Sequence, residues 1–180
     1  MQRQDKLDIE ELKKYRSFIV GIATPAGEQA GFVSYFAITK ARGPGGEGTL
    51  KLVDEIESPD ILALCEGLKW LTVKFDFRRD FYRSAGDFIF GNAQDYSVSE
   101  CLRKHSITIH HSSVIFGQDE EKPFMTLLPE INRQRRAGLI IVDDESLLSL
   151  RLKDLQNPAA IKYGDSPALQ SLCYAYFGWK

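Results

Sequence analysis

An excess of one charge is what this sequence most plainly lacks. Its 23 lysines and arginines stand against 25 aspartates and glutamates, a formal net of -2 over 180 residues. No global field therefore announces nucleic acid, and any such surface has to be a local patch. Cysteine is scarce too, with three residues and no C-x-x-C pair. Cys65, Cys101 and Cys173 fall inside apolar or helical patterns and read as reduced core thiols, which favours a cytosolic setting. No apolar run approaches the ~20 residues that a membrane helix needs. The opening stretch MQRQDKLDIEELKKY is too polar for a signal peptide. The expectation is a chain that is neither secreted nor membrane-inserted. No GxxxxGK[ST] occurs, and GPGGEG at 43–48 lacks the lysine and the strand-to-helix setting of a phosphate-cradling loop, so no ATPase motor is read in these residues. No internal repeat or low-complexity tract is visible.

What is present begins with residues 17–39, SFIVGIATPAGEQAGFVSYFAIT. Two apolar runs, 17–22 and 32–38, flank a turn-rich break at 24–30 that holds Pro25 and Gly27. Unbroken hydrophobicity of this length suits strands covered on both faces, so the stretch predicts a hairpin at the centre of a sheet. A third strand is expected at 48–56, where Leu50 and Leu52 alternate with Lys51 and Asp54. The length suits one domain with its own core. Residues 1–16 read as an amphipathic helix, its apolar side Leu7, Ile9 and Leu12, or as a linker from a larger parent, with the domain proper at 17–180.

After the third strand, Ser58-Pro59-Asp60 predicts a helix start with Ser58 as N-cap, and Ile61, Leu64, Cys65, Leu68 and Leu71 give an apolar face to about residue 75. A fourth strand is expected at Asp80–Arg83, with further strand-like aromatics at 88–90. A short helix at 95–104, a strand at 106–110, helices at 124–136, 145–155 and 166–177, and a brief apolar segment at 139–142 complete the reading. Cys101 and His105 lie four apart and share a helix face. His110 and His111, adjacent on a strand, point to opposite faces, and no second clean ligand pair appears, so a zinc site is not read here.

Three strands before any long helix, then helix, strand, helix, strand and closing helices, resembles the ribonuclease H-like fold: an α/β mixed sheet with a central hairpin, flanked by helices. Within it, FIVGIATPAG at 18–27, LPEINRQRRAGLIIVDDESLLSLRLKDL at 128–155 and KYGDSPALQSLCYAYF at 162–177 resemble segments of the nuclease domain of bacteriophage terminase large subunits, motor-nucleases that cut concatemeric DNA during genome packaging. Integrases and resolvases share the skeleton.

The resemblance implies a two-metal-ion endodeoxyribonuclease, a hydrolase acting on double-stranded DNA in the host cytoplasm. Its partners would be an ATPase domain, a small terminase subunit or a portal protein. Two divalent ions roughly 3.5–4 Å apart activate water and stabilise the leaving oxygen. Mg2+ or Mn2+ prefers oxygen ligands, so acids should converge from the first strand, the fourth strand and the start of the last helix. The resemblance puts the last acid at Asp165, which also reads as a helix N-cap. The fourth-strand acid is Asp80 or Asp87, with Asp76 a weaker third. Asp80 lies beside Arg78 and Arg79 and equally reads as a surface ion pair; Asp87 beside Gly86 equally reads as a turn residue.

The first-strand position is Ala23, the place of a missing acid. Either the site is degenerate, or an aspartate has been replaced there, or Glu28 in the turn serves instead. A methyl group cannot share metal ions, so cleavage should be poor or absent. Asp143 and Asp144 are adequately explained as helix-start residues. Arg78, Arg79 and Arg83, and Arg133, Arg135 and Arg136, form two basic groups able to hold duplex phosphates without reading sequence. The alternative is a non-catalytic ribonuclease H-like module that binds DNA or a protein.

Overall fold

The two apolar runs pair with each other. In the computed structural model, which describes residues 15–39, 48–74, 89–91, 96–105, 110–111, 121–153 and 166–179, β1 (Tyr15–Ala23) and β2 (Gly31–Thr39) form an antiparallel hairpin in register from Phe18↔Ala37 to Ala23↔Phe32. Gly27 turns the chain at φ 58°, a left-handed conformation that costs a side-chain-bearing residue more than glycine. β3 (Leu50–Ser58) adds antiparallel to β2, with a register break that pairs Tyr35 with Asp54 but Phe36 with Leu52. The extra residue is Val53, as in a β-bulge.

β4 (Ile89–Gly91) lies parallel to β1 on its other side, β5 (His110–His111) parallel to β4, and β6 (Ile140–Ile141) parallel to β3. The order is β5-β4-β1-β2-β3-β6, and β2 alone runs against the rest. The strand expected at Asp80–Arg83 falls outside the described residues. What pairs with β1 is the later segment at 89–91.

Helices cover both faces. On one, α1 (Ile61–Lys74) and α2 (Tyr96–Lys104) pack Leu64, Cys65, Leu68, Leu71, Val98 and Leu102 against Phe18, Val20, Ile22, Val33, Tyr35 and Ala37. On the other, α3 (Glu121–Arg136), α4 (Leu147–Leu152) and α5 (Pro167–Trp179) enclose Ile19, Phe32, Phe36, Leu50 and Leu52. Alternate residues of β1 and β2 thus enter different cores, and this is why both strands read as continuous apolar runs. α5 is buried all round from Ala168 to Tyr176, with the sheet on one side and α3 and α4 on the other. Among the described residues, no helix is long and apolar enough to cross a membrane.

Several helix starts differ from expectation. α1 is capped by Asp60 rather than Ser58: Leu62 N–H donates to Asp60 Oδ1 at 3.0 Å, while Asp60 N–H donates to Ser58 Oγ at 3.1 Å. β3 runs on to Ser58, so the helix cannot begin until Pro59 has turned the chain. α3 begins at Glu121, which places Pro123 in the first turn, where an N–H would have no intrahelical acceptor.

α4 draws its cap from a neighbouring residue and from a distant strand. Ser146 Oγ accepts from Ser149 N–H at 2.9 Å, and the Glu55 carboxylate, 93 residues away, accepts from Leu147 and from Leu148, the latter at 3.0 Å. Glu55→Ala strands two helix-start donors, and chemical unfolding should register a loss of about 1–2 kcal/mol. Burial pushes the Glu55 carboxyl above its ordinary range, against the pull of those two amides. A folded-state pKa raised above the unfolded 4.5 means that stability from this group is fully present below that value and is lost as pH rises through the folded pKa. Relative to Glu55→Gln, the wild-type urea midpoint should therefore decline as pH climbs from about 4 to about 7; a difference that stays flat would contradict this.

On the same sheet face, Ser171 Oγ of α5 donates to Ser34 Oγ of β2, the cross-strand partner of Glu55, both serines being buried. Ser34→Ala leaves a buried hydroxyl without its partner and should cost about 1–3 kcal/mol, whereas the Ser34→Ala/Ser171→Ala pair should cost less than the sum of the singles. A double-mutant cycle measures the difference.

Candidate functional site

Ala23 ends β1, and it is fully buried. Strand alternation puts its methyl on the same face as Ile19 and Gly21, toward α5. β1 and α5 approach so closely at Gly21 that the Ser171 carbonyl of α5 occupies the place of a Cβ. β1, an interior strand of the sheet, and α5 therefore pack directly against each other.

The start of α5 is built by Ser166 and Pro167. Leu169 N–H donates to Ser166 Oγ at 3.4 Å, Gln170 N–H to Ser166 O at 3.0 Å, and Pro167 takes the first helical position. The capping role weighed for Asp165 is thus filled by its neighbour. Asp165 itself lies outside the described residues, as do Asp76, Asp80, Asp87, Arg78, Arg79 and Arg83.

The β4 pairing adds a constraint that sequence reading missed. Val20↔Ile89, Gly21↔Phe90 and Ile22↔Gly91 run in parallel register, so β4 ends at Gly91 opposite Ile22, one residue before Ala23. The next acid in the sequence is Asp95, which precedes α2 and lies outside the described residues.

The remaining candidates lie on the surface or are already paired. Glu28 is exposed on the hairpin turn, and Asp143 and Asp144 are exposed between β6 and α4. Arg133 is already engaged: its Nε and an Nη donate to Glu130 at 2.8 and 2.7 Å, and Glu130 also accepts from Gln134 at 2.7 Å and from the Tyr176 hydroxyl at 3.3 Å. These donors, Arg133 first, pull the Glu130 carboxyl down to about 2. Arg136 is exposed, and the Nε of half-buried Arg135 has no partner among the described residues. A separate group of chemically active side chains joins α1 to α2, where Cys65, Cys101 and His105 bring their ligand atoms within 4.8 Å of one another.

No protein-family model and no curated protein matches the sequence. Solved structures do. The large terminase nuclease domain of bacteriophage SPP1, with bound Mn, superposes with a TM-score of 0.56 at 11% identity, covering 97% of this chain and 93% of that one. The large terminase nuclease of the thermophilic phage G20c gives 0.56 at 13% identity, over 88% and 80% of the two chains. The chain has the fold of a phage large terminase nuclease domain. That fold is the ribonuclease H-like α/β architecture which the central hairpin predicts, and the terminase nuclease likeness runs through nearly the whole chain rather than through an isolated motif.

Proposed function

We propose that the chain is the metal-dependent endonuclease module of a phage DNA-packaging terminase, acting on double-stranded DNA, with a site impaired at its first-strand position. The observation that carries this reading is the superposition on two terminase nucleases over 97% and 88% of the chain. One of them is described with bound Mn, which makes Mg2+ or Mn2+ the ions of interest here.

The described residues do not make a complete two-metal site. Ala23 is fully buried and offers no oxygen, and an acid is needed where ions are to be shared. In the proposed reading, Asp165 and one acid from the β4 region, Asp80 or Asp87 as the resemblance has it, remain as a partial ligand set. Such a set would supply ion binding weaker than that of a full carboxylate cluster, and cleavage would be slow for that reason. Duplex phosphates would be held by Arg78, Arg79 and Arg83, with Arg135 and Arg136 as a second group. Arg133 contributes less, because its guanidinium is paired with Glu130. An ATPase domain, a small terminase subunit or a portal protein would be the partners.

Ala23 also favours a second reading, a non-catalytic module that kept the fold to bind DNA or a packaging protein. A plasmid-nicking assay in manganese separates the two. Slow cleavage by the wild type that rises at least about tenfold in Ala23→Asp supports the impaired nuclease. No cleavage by either protein, where Ala23→Asp is folded, supports the binding module.

A further inference from the structure

The α1–α2 interface holds a cluster that the nuclease reading does not use. Cys65 projects from α1 and is fully buried; Cys101 and His105 project from one face of α2 and its C-terminal turn, both half-buried. Cys101 Sγ lies 3.7 Å from Cys65 Sγ and 3.9 Å from His105 Nδ1. A tetrahedral zinc with Zn–S bonds of about 2.3 Å and Zn–N of about 2.0–2.1 Å separates its sulfurs by about 3.8 Å and a sulfur from a nitrogen by about 3.6 Å. The two separations from Cys101 thus already approach those of a zinc coordination tetrahedron, and all three ligand atoms lie within 4.8 Å of one another. Two soft sulfurs and an imidazole are a poor set for Mg2+ or Mn2+ and a good one for zinc.

We propose that Cys65, Cys101 and His105 form a zinc-class metal site that clips α1 to α2, with the fourth position open to water. As the two metal–sulfur bonds form, the thiol protons pass to solvent. His105 gives up the 2.9 Å hydrogen bond that its Nδ1–H donates to the Cys101 carbonyl: this proton passes to solvent while Nε2 takes one up, and the freed Nδ1 lone pair meets the ion. The clip has a structural consequence. Cys65 and Cys101 are 36 residues apart, and between them runs β4, whose Gly91 pairs with Ile22 next to Ala23. Closing that loop through a metal bond restricts the unfolded chain and holds β4 in the sheet. No local spacing marks this site, because Cys65 lies on a different helix from Cys101 and His105 and has the pattern of a core thiol.

Cobalt titration of the reduced, metal-free full chain tests the proposal, since Co2+ bound by thiolates shows a charge-transfer band that carboxylate-bound Co2+ lacks. The expected result is a band saturating at one equivalent, roughly halved in intensity in Cys65→Ser and in Cys101→Ser. In His105→Ala, whose change is confined to a half-buried position at the end of α2 and does not threaten the core, affinity should fall about tenfold or more. One equivalent of zinc should displace the cobalt and raise the wild-type Tm by about 5 °C or more, with no comparable rise in His105→Ala. Absence of the band in the wild type, or a band undiminished in His105→Ala and in Cys101→Ser, would overturn the site. Neither result depends on DNA cleavage.

Discussion

Gly21→Ala should destroy the native packing of α5 on the sheet, with a loss of at least about 3 kcal/mol in denaturant unfolding or no folded protein at all. A methyl group at this position would overlap the Ser171 carbonyl oxygen, come within 2.7 Å of its carbon and within 3.1 Å of the Ala175 nitrogen. These are backbone atoms joined in the helix's own hydrogen bonding, so no side-chain rotation relieves the overlap. The helix would have to lift from β1, and it cannot lift without opening its outer packing, because α3 and α4 cover its other side. Gly27→Ala is the control. It has open space around its Cβ position and only its φ of 58° to pay for, so it should lose about 1 kcal/mol. Comparable losses in the two variants would show that the close approach of β1 and α5 does not matter as described.

Ala23→Asp should be strongly destabilised in chelator and substantially recovered by manganese. Position 23 is fully buried, so an introduced carboxylate loses its hydration and, without an ion, costs several kcal/mol or takes up a proton. If other acids converge there, the added ligand raises affinity for a divalent ion. At about a hundredfold excess of ion over its Kd, binding returns about 2.7 kcal/mol. For a chain of this size, that corresponds to a rise in Tm of roughly 5–10 °C. The wild type, which has a methyl there, should shift by less than half as much. Equal shifts in both proteins would mean that any ion they bind is remote from β1.

The central part of the fold was legible because its cause is local. β1 and β2 are covered on both faces, so their residues must be apolar throughout, and that pattern survives in the one-dimensional sequence. The bulge at Val53, by contrast, left the alternation of β3 looking regular. β4 was not legible as the fourth strand, since Ile89–Gly91 is too short to carry a period and acquires its identity from pairing with Val20–Ile22. α5 was found as a helix, but its burial on every side gave no sign of which face met β1. The cap on α4 depends on Glu55, and the Cys65–Cys101–His105 cluster on two helices 36 residues apart; contacts of that range leave no local trace. For the site, Ala23 became meaningful through resemblance, and the structure then located it at a buried strand end facing the closing helix. The structure also showed Ser166, rather than Asp165, to be the helix cap.

Manganese anomalous diffraction from crystals of Ala23→Asp tests the central claim most directly. The account predicts an ion bound jointly by the introduced carboxylate at position 23 and by Asp165, at the end of β1 beside the exit from β4. An ion bound elsewhere, or a well-ordered carboxylate at 23 with Asp165 on another side of the molecule, would contradict it.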